Sequence, residues 1–237
     1  MKTKKKKFQF LTLGILVISA VVFNSCWFND DPKKHGFSSP EEFIENPSVK
    51  GAIKQSGIEI NEGSTPPALA GDYLTDGRVI DASSLLRSLI GAPINTEIDL
   101  YNQTTSGKIS LREKVSGITV SGNGGYITGS GGKFTIYIES KQSGSEAGLP
   151  DDLSLNVALL MSGTKLSNGD LSAVKGISII TEVYTSNKNY ANMENSWWMW
   201  NADFDLQTGL RSAKDKSQAS QSMKEIMQLV VSKLISN

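Results

Sequence analysis

The sequence holds one cysteine and one histidine in 237 residues. A single cysteine excludes an intramolecular disulfide framework and any zinc centre built on several thiolates. A single histidine excludes a His-rich metal site. It also makes any Ser-His-Asp hydrolase depend on His35 alone. No Gly-x-Ser-x-Gly elbow is present: Ser130 sits directly between Gly129 and Gly131, so the spacing is wrong. The pattern implies no catalytic residue, no metal and no cofactor.

A basic surface is lacking as well, although 24 Lys+Arg match 24 Asp+Glu. Lys2, Lys4, Lys5, Lys6 and Lys7 lie within the first seven residues, and Asp30 is the first acidic residue. Setting those five aside leaves 19 basic residues against 24 acidic ones, a net charge of about −5. That argues against nucleic-acid binding, which needs clustered cations.

What the N-terminus does contain is a basic segment, Met1 to Lys7, followed by an apolar run from Phe8 to Phe23. Together they read as an export leader. As a helix the run would span roughly 24 Å, short of the ~30 Å hydrocarbon core of a bilayer. Phe23-Asn24-Ser25-Cys26 follows at once. It resembles the lipobox of bacterial lipoproteins, with Phe23 in place of the usual Leu. The resemblance implies cleavage before Cys26, a diacylglycerol on its sulfur and an acyl chain such as palmitate on its new amine. Several buried acyl chains give stable anchoring, at about 0.8 kcal/mol per buried methylene. The implied partner is therefore the membrane, reached through acylated Cys26, and the implied location is the cell envelope, at the outer membrane of a Gram-negative bacterium. Trp27 and Phe28 suit the headgroup level, and His35 lies in the tether that follows. This divides the chain into a leader over 1–25, a lipidated tether over 26–38 and a folded portion beyond.

Ser39-Pro40-Glu41-Glu42 is a helix start, with Ser39 as cap, Pro40 first in the helix and Glu42 closing a capping box. The helix is expected over 39–57, kinked at Pro47 and stopped at Gly57. Residues 58–70 form a connector with Gly63 and Pro66-Pro67.

Beyond it the apolar period becomes two. Ile98 and Leu100 face one way, as do Ile109 and Leu111. So do Phe134, Ile136 and Ile138, and the set Leu153, Leu155, Val157, Leu159 and Met161. The same reading places Ile177, Ile179, Thr181 and Val183 on one face, and Trp198, Trp200, Ala202, Phe204 and Leu206 on another. Weaker strands are expected over 72–75, 78–83 and 117–128. Thr105-Ser106-Gly107, Gly129-Ser130-Gly131-Gly132 and Ser167-Asn168-Gly169 punctuate hairpins. Short hairpins imply an antiparallel meander, and about eight strands suffice to close a small barrel over 58–210. Over 211–237, Met223, Ile226, Met227, Val230, Val231, Leu234 and Ile235 make an amphipathic helix that suits packing on the barrel.

Pro66-Pro67 and Gly71-Asp72-Tyr73 open this meander. They resemble the start of the lipocalin-like barrel in Bacteroidetes-type lipoproteins of unknown function. Tyr73 stands where lipocalins have Trp, and Arg211 is the one residue placed to close over it. The resemblance implies a lipocalin-like barrel that binds a small molecule.

Among candidate residues, Gly122 to Gly132 cannot be a phosphate loop, because a strand rather than a helix follows. Asp203 and Asp205 share an outward face and read as solubility devices. The aromatic residues Trp198, Trp200 and Phe204, with Tyr126 from the glycine-rich segment, are the candidate ligand-binding set. Trp197 points the other way, in reach of the C-terminal helix. The function expected is a non-enzymatic, lipid-anchored envelope protein. Its barrel would bind a small apolar or glycan-like ligand, or a partner protein. The alternative is a structural or adhesive lipoprotein with a filled core.

Overall fold

A computed structural model describes residues 37–115, 118–121, 125–143 and 149–207, together with Gln228 and Val231. The expected leader over 1–25, Cys26, Trp27, Phe28, His35 and Arg211 lie outside the described residues. Of the expected C-terminal helix, Gln228 and Val231 alone are described. Both are helical, the first exposed and the second buried among the residues that fill the barrel.

Two short helices come first, α1 over Pro40–Glu45 and α2 over Pro47–Ser56. The Ser39 side chain accepts from the Glu42 backbone N–H at 3.2 Å. The Glu42 carboxylate reaches one residue further back than a capping box requires, accepting from the Ser38 N–H at 2.8 Å. Pro47 ends α1 rather than kinking a longer helix. Asn46 takes over as cap and accepts from the Ser48 and Val49 N–H groups. Gly57, at φ +63°, stops α2 in the left-handed conformation that glycine adopts without strain.

Ten strands follow among the described residues. They are β1 (Gly71–Ala82), β2 (Pro93–Ile94), β3 (Glu97–Tyr101), β4 (Lys108–Val115), β5 (Ile118–Ser121), β6 (Gly125–Ser130), β7 (Lys133–Ser143), β8 (Leu153–Lys165), β9 (Leu171–Thr185) and β10 (Trp197–Leu206). Every ladder is antiparallel, and β10 pairs back onto β1 from Tyr73↔Leu206 to Ala82↔Trp198, which closes the barrel. The ring has eight positions. β2 and β3 share one edge of β1, and β5 and β6 share one edge of β4, so two positions are filled by broken strands. The fold is the expected antiparallel barrel.

Some details differ from the sequence reading. β1 is one strand of twelve residues rather than two, because it runs unbroken through Gly77. A Cβ there would lie 2.5 Å from that of Ala202, so glycine is what lets β10 approach. In β9, Ile177 and Ile179 point outward, whereas Val174, Ile180 and Val183 point in. A register shift beside Asn156 and Val157 changes the parity of the strand.

The core has two layers. The inner one fills the barrel. The outer one lies between α1–α2 and the outer wall of β7–β10, where Phe43, Val49 and Ala52 meet Tyr137, Leu160, Ile177, Ile179 and Trp197. Trp197 therefore packs under α2, and its indole donates to Gln55 Oε1 at 3.1 Å. The C-terminal helix was the partner expected from sequence, but the outward face of β10 at this level is covered by the N-terminal helices. The connector after α2 is pinned to the same wall: the Asn61 N–H donates to Thr135 Oγ1 at 2.7 Å and Thr128 Oγ1 donates to the Asn61 carbonyl at 2.7 Å.

A candidate ligand site inside the barrel

Strand pairing arranges the inward side chains in rungs. One rung runs Ala82, Trp198, Ser178, Leu159, Ile138 and Gly125 across six strands. The next runs Val79, Trp200, Gly176, Met161, Ile136 and Ile127. The two largest side chains face small ones: Trp198 lies between Ala82 and Ser178, and Trp200 lies beside Gly176. The Trp200 indole occupies the space that Gly176 leaves: a Cβ at 176 would lie 2.1 Å from its Cζ2. Trp200 stacks on Phe204 with ring centroids 6.2 Å apart and planes 11° apart. Tyr73 completes this end, 6.3 Å from Phe204, and its hydroxyl donates to the Leu69 carbonyl at 2.8 Å. Burial, with a smaller push from Asp170, raises the Tyr73 pKa to about 12.

The rungs are apolar except at a few atoms, and those atoms are unusual. Trp198 and Ser178 are fully buried and Trp200 nearly so. Yet Trp198 Nε1, Trp200 Nε1 and Ser178 Oγ have no hydrogen-bond partner among the described residues. Buried donors are almost always satisfied, and each one that is not costs about 1–3 kcal/mol. Off these rungs, just ahead of β3, Asn95 Oδ1 and Thr96 Oγ1 are in the same state. Leu159, between Ile138 and Ser178, faces inward from the middle of β8 but is only partly buried. One face of Leu159 is therefore left uncovered by the core.

Trp198, Trp200 and Phe204 are thus brought together. Tyr126 is not. It lies on the outer wall, because Gly125 and Ile127 take the inward positions of β6. Its hydroxyl donates to the Ser38 carbonyl, and Lys108 Nζ stands 3.6 Å from its ring centroid. Asp203 and Asp205 are exposed on the outer face of β10. Among the described residues no group of three possible ligands could hold a metal ion.

Sequence reasoning missed Ser178. With Ile177 and Ile179 assigned inward, the serine between them falls outward, and the parity change in β9 reverses that assignment. The rungs present an apolar wall with three unpartnered polar atoms among the described residues. Its free donors are neutral, and the neighbours of Ser178 across the sheet are Leu159 and Trp198, neither of which can act as a base. No family model, curated protein or solved structure matches the chain.

Proposed function

We propose that the protein is a lipid-anchored component of the cell envelope, at the outer membrane, that holds a small apolar molecule inside its barrel without transforming it. The observation that carries this reading is the set of three enclosed polar groups, Trp198 Nε1, Trp200 Nε1 and Ser178 Oγ, on adjoining rungs of an apolar wall. The buried rings of Trp198, Trp200 and Phe204 offer no open face on which a glycan could stack, so an apolar ligand is favoured over a sugar. Anchoring rests on the basic leader, the apolar run and Ser25-Cys26. Native mass spectrometry of the purified protein is the test: a retained small molecule supports the reading. A mass equal to the acylated chain alone, from protein never exposed to competing detergent, goes against it. The second reading is a structural or adhesive lipoprotein. The complete enclosure of Trp198 and Phe204 favours it.

The anchor is tested separately. Cys26→Ala is expected to abolish incorporation of a fatty-acid probe and to leave unprocessed precursor, because the thiol is the acylated group. Undiminished labelling would remove lipid anchoring from the proposal.

A further inference from the structure

The enclosed polar groups also restrict what the ligand can be, an inference that rests on the barrel-binding reading. Two of the three, the indole N–H groups, can only donate, and the Ser178 hydroxyl can donate too. A ligand that satisfies them must present an acceptor. Acceptors come in two kinds, charged and neutral. A carboxylate or phosphate taken out of water needs a paired cation. No Lys or Arg is buried among the described residues, and the one buried charged side chain among them is Glu113, an acid that is already engaged. The aliphatic remainder of the rungs, Val79, Leu159, Ile138, Met161, Ile136 and Ile127, suits a hydrocarbon body.

We infer that the ligand is an uncharged molecule with an apolar body and a carbonyl-type acceptor, such as an ester or ketone, and not a fatty acid. The acceptor lies at the rung of Trp198 and Ser178, and the hydrocarbon lies against Leu159 and Ile138. The partly buried face of Leu159 is where the body enters the packing. The indole of Trp200, one rung away, is the second donor within the same enclosure.

The test compares two probes of equal chain length, methyl octanoate and octanoate, on the full chain held in lipid nanodiscs. Affinities are referred to free probe in water. The readout is the indole N–H resonances of the four tryptophans, Trp27, Trp197, Trp198 and Trp200. The ester is expected to bind at least about tenfold more tightly than the acid, because an unpaired carboxylate loses far more on leaving water than an ester does. It should move the Trp198 and Trp200 resonances and leave that of Trp197, which already donates to Gln55, unchanged. Ser178→Ala, a change that threatens no packing, should weaken binding of the ester by about the worth of one net hydrogen bond, severalfold in affinity. If octanoate binds as tightly as the ester, the uncharged class is wrong while the binding site stands. If neither probe binds, the site itself and the proposed function fall together, and the filled-core reading takes their place.

Discussion

At Ser178 a hydroxyl is enclosed between Leu159 and Trp198 and engages no partner among the described residues. Removing such a group relieves a desolvation cost instead of breaking a bond. Ser178→Ala is therefore expected to stabilise the protein by about 1 kcal/mol, read as a higher denaturation midpoint at unchanged slope. A loss of stability would mean that the hydroxyl is satisfied in solution and is not a binding group. Tyr73 makes the opposite case, a buried hydroxyl with a partner. Its pKa lies at about 12 in the folded protein, against about 10 in an unfolded chain. The folded state holds this proton more tightly, so its contribution is complete below about pH 10 and is lost as pH rises towards 12. Alkaline titration of stability should fall through that window, and Tyr73→Phe should flatten the fall while lowering stability at neutral pH through the lost bond to Leu69.

At the scale of elements, glycine has two contrary meanings. Gly176 in β9 is the floor under the Trp200 ring, so Gly176→Ala must displace an indole and is expected to cost about 1–3 kcal/mol. Gly51 in α2 has open space where a Cβ would stand. Gly51→Ala should raise stability by about 0.5–1 kcal/mol through helix propensity alone. Thermal denaturation of the two variants checks both signs, and equal effects would place Trp200 away from Gly176. The strands themselves were legible to different degrees. β8 and β10 alternate without interruption, so their inward sets, Trp198, Trp200 and Phe204 included, follow from period two. β9 does not, because its parity changes within a run where Ile177, Ile179 and Ile180 offer apolar residues to both faces. Nor could the period show that the outward residues Tyr137, Leu160 and Trp197 would be buried. That depends on where α1 and α2 dock, which is set by tertiary contact and not by any local pattern. Tyr126 was misplaced for a related reason: Gly124 and Gly125 precede it, so no side chain ahead of it in the strand marks which face is inward.

At the scale of the whole molecule, the outer wall of β1, β3 and β10 is acidic. Asp76 lies opposite Asp203, and Asp72 lies opposite Asp99, which also meets Arg112 at 3.4 Å. Like charges directly across a ladder oppose pairing. The Asp76–Asp203 pair lies on the ladder that closes the barrel. Asp76→Asn is expected to stabilise by a few tenths of a kcal/mol at low ionic strength, about the size of a cross-strand pair. The gain should shrink as salt screens the repulsion. Melting temperatures measured from low to high salt check this, and a gain independent of salt would point to a cause other than charge.

The pairing of β10 with β1 also has a consequence in time. Its partners are more than a hundred residues apart in the chain, from Tyr73↔Leu206 to Ala82↔Trp198. Contacts this distant in sequence form late and make folding slow. Until Trp197–Leu206 are available, β1 and β9 each present an open edge of backbone donors and acceptors to any other chain nearby. A chain cut short before Trp197 gains no smaller version of the fold, only two adhesive edges. Completion of the barrel thus waits on β10, which is made only after the other nine strands.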